Sequence, residues 1–377
     1  MIKPVIVVLG IIFCVNTARA DVQFHCQART SALQQEFIAY LGFLKIPEEL
    51  VVQTLDSKSE VLTVTLATPL GDTATLDLFK RAEFSLVSET VSLPTSNGKT
   101  RFVQTVSQKE ILLALLQHGR LTDFNAEHCS VEALADHVGV RQNIVAWAEK
   151  LKWIWPNGKQ SRWNKKYWTR GTPNHGTSAQ AAVMDVFLHQ DQYAIGCYTA
   201  TKLVFVQAVL DYYQRIKRDP LRVTLLKHKL LVDGDPLVGV EPARMWSFEQ
   251  DFESKNLDRP GKLLAINMNV APNNFIPGDW GYIQNTDAAT AKMIGYEGSN
   301  AVYLGRNSFD DYYDDNDHRY TFEQKLDEVY QWRNGVFSRS RDVQKIKPLA
   351  TEDYTRLSST PRSGGILLDI RVVPQLF

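Results

Sequence analysis

The sequence has no excess of charge of either sign, since 42 lysine and arginine residues are balanced by 42 aspartate and glutamate residues. Proteins that bind nucleic acid or anionic membranes through charge usually carry a basic excess or a basic cluster. The balance supports neither class. We therefore expect no nucleic acid and no membrane surface among the partners of this protein.

Long apolar runs are also absent after the first 20 residues, and a helix needs about 20 consecutive apolar residues to span a bilayer. The first 20 residues combine Lys3, an apolar run over 5–15 and the small-x-small ending of residues 18–20. This pattern is typical of a secretory signal peptide. We expect residues 1–20 to be removed, and the rest of the chain to lie in the periplasm or outside the cell without a membrane span.

Cysteine is scarce, and removal of residues 1–20 would leave only Cys26, Cys129 and Cys197. An oxidising compartment tends to pair those cysteines that can meet, and an odd number leaves one thiol over. Because Cys26 and Cys129 both lie in the N-terminal part of the chain, we predict a disulfide between them. Cys197 would then keep its thiol.

Hydrophobic periodicity divides the remaining chain into three parts. Residues 21–129 are predicted to form a mixed α/β unit, 130–340 a second, larger domain and 341–377 a C-terminal extension. In the first part, helical spacing over 28–43 and 108–117 predicts two helices. Alternation predicts four short strands, over 61–66, 74–78, 84–87 and 101–104. The segment 223–233 fits either a helix or a strand.

Two further segments have competing interpretations. Tryptophans alternate with lysines over 152–168, which fits stacking on nucleic acid or sugar but more often reflects aromatic packing at the edge of a core. The acidic run 310–317 resembles a calcium loop, yet it lacks the glycine and final glutamate of an EF-hand. We interpret it as a solvated loop and expect neither a metal nor an organic cofactor.

Cys197 is predicted to begin a helix, because apolar residues recur on one helical face from Leu203 to Ile216. The N–H groups and dipole at a helix N-terminus favour a thiolate, which is the nucleophilic form of cysteine. A buried structural cysteine is the competing interpretation, since cysteine is one of the most frequently buried residue types.

Several short segments occur together in the order and spacing of one protein family. They are RQNIVAWA at 141–148, YW at 167–168, CYTA at 197–200, GD at 278–279, GSN at 298–300, LG at 304–305 and a histidine, His318, before a helix. In these segments the chain resembles the small bacterial protein-glutamine gamma-glutamyltransferases, typified by the spore-coat transglutaminase. The resemblance covers about residues 138–335.

The resemblance implies an α+β fold with a papain-like cysteine acyltransferase core, in which the nucleophile opens a helix packed on an antiparallel sheet. It implies Cys197 as the nucleophile, His318 as its proton-transfer partner, and proteins bearing glutamine and lysine as substrates. Two family positions differ, because Ser299 stands where the family has glutamate and Gly196 where it often has an acidic residue. Asp279 keeps its match, and Glu297 lies two positions before Ser299. The assisting carboxylate is therefore open between Asp279 and Glu297.

Three functions remain open at this stage. The first is a secreted transglutaminase-like acyltransferase that forms gamma-glutamyl-lysine bonds or deamidates protein glutamine. The second is a secreted cysteine peptidase or peptidoglycan amidase using the same Cys-His pair. The third is a catalytically silent interaction protein on the same scaffold, which the two altered acidic positions favour.

Overall fold

The structure is a computed structural model that describes most of the chain after the predicted signal peptide. The described residues are 22–26, 30–56, 58–68, 75–117, 120–149, 151–156, 159–169, 171–232, 265–268, 274–310, 312–313, 319–337 and 344–372. The predicted signal peptide, the acidic run apart from residues 310, 312 and 313, and His318 lie outside them. Among the described residues, no helix is long and apolar enough to cross a membrane.

The described residues form both helices and strands, and the largest sheet is antiparallel throughout, so the fold is α+β. The helices are α1 (Thr30–Phe43), α2 (Gln108–Leu116), α3 (Val131–Ala148), α4 (Ala179–Leu188), α5 (Cys197–Asp211), α6 (Pro220–Val232), α7 (Phe322–Trp332) and α8 (Thr351–Leu357). The strands are β1 (Val22–His25), β2 (Val51–Asp56), β3 (Val61–Leu66), β4 (Glu89–Pro94), β5 (Thr100–Thr105), β6 (Thr122–Asn125), β7 (Trp168–Thr169), β8 (Thr172–Pro173), β9 (Ala265–Met268), β10 (Trp280–Gln284), β11 (Gly298–Gly305), β12 (Ser308–Asp310), β13 (Arg319–Tyr320) and β14 (Leu367–Val372).

Six strands form an antiparallel sheet in the order β13-β12-β11-β10-β14-β9. Its strand β11 is buried along its whole length, and successive side chains on a strand point to opposite faces. Val302 and Leu304 accordingly join the core formed with α3 and α5, whereas Ala301 and Tyr303 join the core formed with α7. The sheet therefore lies between two helical layers, and α5 packs directly against α3 and β11.

The N-terminal part contains a four-stranded sheet, β2-β3-β1-β6, in which β1 and β6 run parallel. The predicted disulfide between Cys26 and Cys129 is confirmed, and it joins the segments that follow β1 and β6. One hydrophobic cluster runs without interruption from β1 through α2 and α3 to α5. The N-terminal part thus shares its core with the part that carries Cys197.

Several predicted elements are confirmed, and two are wrong. Helices form close to the predicted bounds in α1, α2 and α5, and strands form in β3 and β5. The predicted strand at 74–78 is instead occupied, from residue 75 on, by the 3-10 turn Thr75–Lys80, which packs against α2. The segment 84–87 begins at the end of the 3-10 turn Ala82–Phe84, and its residues 85–87 form no strand. Alternating runs this short are easily overridden by tertiary packing. In the ambiguous segment 223–233, residues 223–232 belong to helix α6, and residue 233 lies outside the described residues.

The predicted C-terminal extension contributes to the sheet. Strand β14 pairs with β10 on one side and with the edge strand β9 on the other, so it lies inside the sheet. The side chains of Ile366, Leu367 and Ile370 enter the core shared with α7. Residues beyond 341 therefore complete the sheet on which the candidate site lies.

Candidate active site

Cys197 is the first residue of α5, as predicted, and its side chain is half-buried. The residue before it, Gly196, has an extended backbone and no side chain that could cap the helix. The hydroxyl of Thr201 donates to the Cys197 carbonyl oxygen at 2.7 Å, which ties down the first turn. Helix N-termini present N–H groups and the positive end of the dipole, so this position favours a thiolate.

The Cys197 sulfur is within hydrogen-bond distance of an amide from the sheet. Asn300 on β11 places Nδ2 3.5 Å from Sγ. The other end of the same carboxamide, Oδ1, accepts a 2.8 Å hydrogen bond from the indole N–H of Trp280 on β10. Trp280 is fully buried and packs edge-to-face against Tyr198, the neighbour of Cys197.

A cavity of about 40 Å³ lies beside Cys197. Its lining combines aromatic side chains with a few polar ones, and these are Trp155, Cys197, Gly295, Tyr296, Gly298, Ser299, Asn300, Tyr313, Lys325, Glu328, Trp332 and Phe337. The aromatic walls limit water near the sulfur. In the segment 152–168, the burial of Trp153, Trp163 and Trp168 supports the favoured interpretation of aromatic packing rather than a stacking platform.

Lys325 and Glu328 on α7 bring a charged pair to this cavity. Their Nζ and Oε2 atoms are 3.1 Å apart, and the lysine side chain is almost fully buried. The ammonium also lies 3.8 Å from the centre of the Tyr320 ring, a cation-π distance. Sequence reasoning missed both residues, since their helix has an ordinary amphipathic pattern that gives no sign of a cavity at its surface.

Asp279 lies in a different environment from the one predicted for a catalytic carboxylate. It is completely buried, and its two oxygens accept from Arg141 Nη1 at 2.8 Å, Arg120 Nη2 at 2.5 Å and the backbone N–H of Ile276 at 2.7 Å. It does not line the cavity beside Cys197. These contacts assign it a role in holding α3 and the loop before β10 together.

The side chain of Glu297, the other predicted carboxylate, forms a hydrogen bond within its own loop. Its Oε2 accepts from the backbone N–H of Gly295 at 2.8 Å, and burial raises the pKa of this carboxyl group. Glu297 does not line the cavity, whereas Ser299, at the position of the family glutamate, does. The structure therefore brings Ser299 and Asn300 to Cys197, but not Asp279 or Glu297.

His318 lies outside the described residues, so its placement relative to Cys197 remains a prediction. The residues on either side of its loop are described. The Tyr313 hydroxyl donates to the carbonyl oxygen of Ile195 at 3.0 Å, two residues before Cys197, and Arg319 forms an ion pair with buried Glu149. The loop that carries His318 therefore begins next to the segment that leads into α5.

Nothing in the described parts of the chain forms a cluster of three or more His, Cys, Asp or Glu side chains placed to hold a metal ion. The groups assembled around Cys197 are a thiol, an amide, a hydroxyl, an ion pair and aromatic rings. Such groups suit covalent catalysis by a cysteine.

Comparison with known proteins adds independent information. The model of the family described as protein-glutamine gamma-glutamyltransferase matches residues 90–314 of the chain. Among solved structures, the transglutaminase from Geobacillus stearothermophilus without its C-terminal extension aligns with 18% identity and a TM-score of 0.41. The alignment covers 65% of this chain and 94% of that chain. No curated protein matches the sequence.

Proposed function

Because the chain belongs to the protein-glutamine gamma-glutamyltransferase family, we propose that it is a secreted cysteine acyltransferase that uses Cys197 as its nucleophile. The observation that carries the proposal is the position of Cys197. It opens α5, is half-buried, and faces both an aromatic cavity and the amide of Asn300. A buried structural cysteine would have no need of a hydrogen-bond donor at its sulfur.

In the first half of the proposed reaction, the Cys197 thiol gives its proton to the imidazole of His318. The thiolate then attacks the side-chain carbonyl carbon of a protein glutamine. The tetrahedral intermediate collapses with cleavage of the carbon–nitrogen bond, and the imidazolium returns its proton so that ammonia leaves. The N–H groups at the start of α5 suit the developing oxyanion. The product is a thioester on Cys197.

In the second half, a lysine amine attacks the thioester and His318 accepts the surplus proton. Collapse of this intermediate releases the sulfur and leaves a gamma-glutamyl-lysine isopeptide bond. Attack by water instead would give glutamate, which is deamidation. The aromatic side chains around the cavity, such as Trp155 and Trp332, favour the amine by restricting water.

The carboxylate that would orient His318 is the least defined member of the proposed site. Asp279 and Glu297 remain the two residues proposed from the family pattern. Asp279 is already held by two guanidinium groups, and Glu297 by the Gly295 N–H. The proposal therefore includes a second form of the site, in which Cys197 and His318 act as a pair without a carboxylate that orients the imidazole.

Secretion is proposed from two features of the chain. Residues 1–20 have the signal-peptide pattern, and the Cys26–Cys129 disulfide is of the kind that persists in oxidising compartments. Protein glutamine and lysine side chains in the periplasm or outside the cell would be the substrates.

The decisive experiment is incorporation of a labelled primary amine into a glutamine-rich protein by residues 21–377, beside the Cys197→Ala variant. We expect incorporation that is lost in the variant. Ammonia release without incorporation would identify a deamidase, and cleavage of peptides or muropeptides would identify a hydrolase. If neither ammonia, amine incorporation nor cleavage depends on Cys197, the acyltransferase proposal is wrong.

A catalytically silent scaffold is the second candidate, and one observation favours it. Ser299 lines the cavity at the position of the family glutamate, and Gly196 precedes the cysteine where the family often has an acid. The Ser299→Glu variant separates the two candidates. A silent scaffold would gain activity only with the restored carboxylate, whereas an active enzyme works without it.

A further inference from the structure

We propose that Asn300 is the side-chain donor that stabilises the thiolate of Cys197, and that Trp280 holds its carboxamide in the donating orientation. The inference rests on the proposed nucleophilic role of Cys197 and names the group that prepares it. It assigns a catalytic role to Asn300, since its Nδ2 contacts the reacting sulfur at 3.5 Å. Trp280 is a positioning residue.

The orientation of the amide follows from the chemistry of its two neighbours. An indole nitrogen can only donate a hydrogen bond, so the atom of Asn300 that faces Trp280 Nε1 at 2.8 Å must be the carbonyl oxygen Oδ1. The NH₂ group then necessarily faces the sulfur. Trp280 thus removes the ambiguity that normally attends an asparagine side chain.

The relative position of Asn300 and Trp280 is set by strand pairing within the sheet and by packing against α5. Trp280 pairs in register with Val302, and Asn300 pairs with Tyr282 on the same two antiparallel strands. The indole ring contacts Tyr198 and Phe205, both on α5, with centroid separations of 5.1 and 5.7 Å. The amide is therefore fixed relative to the helix that carries Cys197.

Burial makes this donor effective. Asn300 is only 7% exposed, and a hydrogen bond to a charged group is stronger than one between neutral groups, especially with little competing water. The donation favours the thiolate over the thiol. Asn300 is neutral and Ser299 brings no carboxylate to the cavity, so neither side chain repels the negative sulfur.

The test is a titration of the Cys197 thiolate by its ultraviolet absorbance, taken as the difference from Cys197→Ala, together with the pH dependence of alkylation. In Asn300→Ala we expect the midpoint to rise by about one pH unit, which is a tenfold loss of thiolate below the midpoint. Asn300→Asp keeps the shape but replaces the donor by a carboxylate, so its midpoint should rise further. Trp280→Phe keeps the ring and removes the indole N–H, and a smaller rise is expected.

Asn143→Ala is the matched control. Asn143 is a buried amide that donates to the Ala208 carbonyl and to Asp211 at the other end of α5, at 2.7 and 3.1 Å. Its loss should weaken α5 without changing the thiolate titration. An unchanged midpoint in folded Asn300→Ala, or an equal rise in Asn143→Ala, would overturn the proposal.

The outcome of this titration does not depend on whether the proposed function is right, because the titration needs no substrate. A raised midpoint in Asn300→Ala, with no amine incorporation, ammonia release or cleavage by the wild type, would support the thiolate donor and overturn the acyltransferase. Amine incorporation by the wild type with no change of midpoint in Asn300→Ala would support the acyltransferase and overturn the thiolate donor.

Discussion

Arg141 donates a hydrogen bond of 2.8 Å from Nη1 to Oδ1 of Asp279, 138 positions further along the chain. Both residues belong to segments that carry the family resemblance. Arg120 binds the second oxygen of the same carboxylate, and all three side chains are at least nine-tenths buried. In this chain the three side chains therefore form an ion cluster that holds α3 against the loop before β10.

Asp279→Ala should destabilise the protein by about 3 to 5 kcal/mol, because it leaves two guanidinium groups buried without their carboxylate. Chemical denaturation gives the free energy of unfolding. The control is Asp77→Ala, since the Asp77 side chain is partly exposed, whereas a buried carboxylate such as that of Asp185 would not be suitable. Asp77→Ala should lower the free energy of unfolding by less than about 1 kcal/mol. Stability close to that of the wild type would contradict this structural role and leave Asp279 as a proposed catalytic carboxylate.

Gly278 permits the close approach of the two segments. Its φ is +85°, and a Cβ at this position would lie 3.0 Å from the Arg141 backbone. Gly278→Ala should cost the strain of a positive φ, about 1 to 2 kcal/mol, and about 1 to 3 kcal/mol more for overpacking.

Comparison with Gly98→Ala separates the cost of overpacking from the strain of a positive φ. Gly98 has a similar φ of +73° in the β4–β5 turn, and a Cβ there meets nothing within 4 Å. Thermal or urea unfolding of the two variants should differ by the packing cost alone. Equal losses would show that the approach to Arg141 imposes no constraint.

His137 makes stability depend on pH. Burial, together with the nearby Arg141 and Arg120 charges, holds the pKa of His137 well below 6.5, and its Nε2 accepts from Arg141 Nε at 2.9 Å. The unfolded chain therefore binds a proton that the folded chain does not. This contribution to stability is complete above pH 6.5 and is lost as the pH falls below that value.

We expect the free energy of unfolding to fall by up to about 1.4 kcal/mol per pH unit in this window. His137→Gln, which keeps an acceptor but does not titrate, should flatten the slope. A slope unchanged in His137→Gln would contradict this assignment.

His318→Ala should lower turnover by several orders of magnitude, because it removes the proposed proton acceptor of Cys197. His175→Ala is the matched control, since His175 is exposed in the loop before α4. Steady-state amine incorporation by both variants provides the comparison. Near-normal turnover in His318→Ala would exclude the histidine from the mechanism.

Glu297→Gln should retain turnover, because the glutamine can still accept from the Gly295 N–H and the carboxylate does not face the cavity. It also removes a carboxyl group whose charged form burial disfavours. A large loss of turnover with normal stability would identify Glu297 as the assisting carboxylate.

The double variant Cys26→Ala, Cys129→Ala should unfold more easily by about 4 to 5 kcal/mol, as expected for a disulfide that closes a loop of about 100 residues. The two cysteines are 103 positions apart. Alkylation of Cys197 in the folded double variant should proceed as in the wild type. Loss of that reaction would show that the disulfide shapes the site rather than only the N-terminal part.

Local patterns in the sequence were sufficient for much of the architecture. The helix that begins at Cys197, the disulfide and the alternation of helices with strands follow from short-range periodicity, from capping residues such as Ser130 and Ser178, and from cysteine number. The family followed from the order of several short segments. Each of these signals lies in residues that are close together in the sequence, or in the number of cysteines.

Tertiary structure alone decided the composition of the site. Asn300 stood within a recognised segment, but its role depends on Trp280 holding its oxygen and on α5 bringing Cys197 to its nitrogen. The family resemblance made Asp279 a candidate catalytic acid, and only the fold shows that Arg120 and Arg141 surround it. Sequence periodicity determines which face of an element is buried, whereas the partner of a buried polar atom depends on which distant segments the fold brings within about 3 Å.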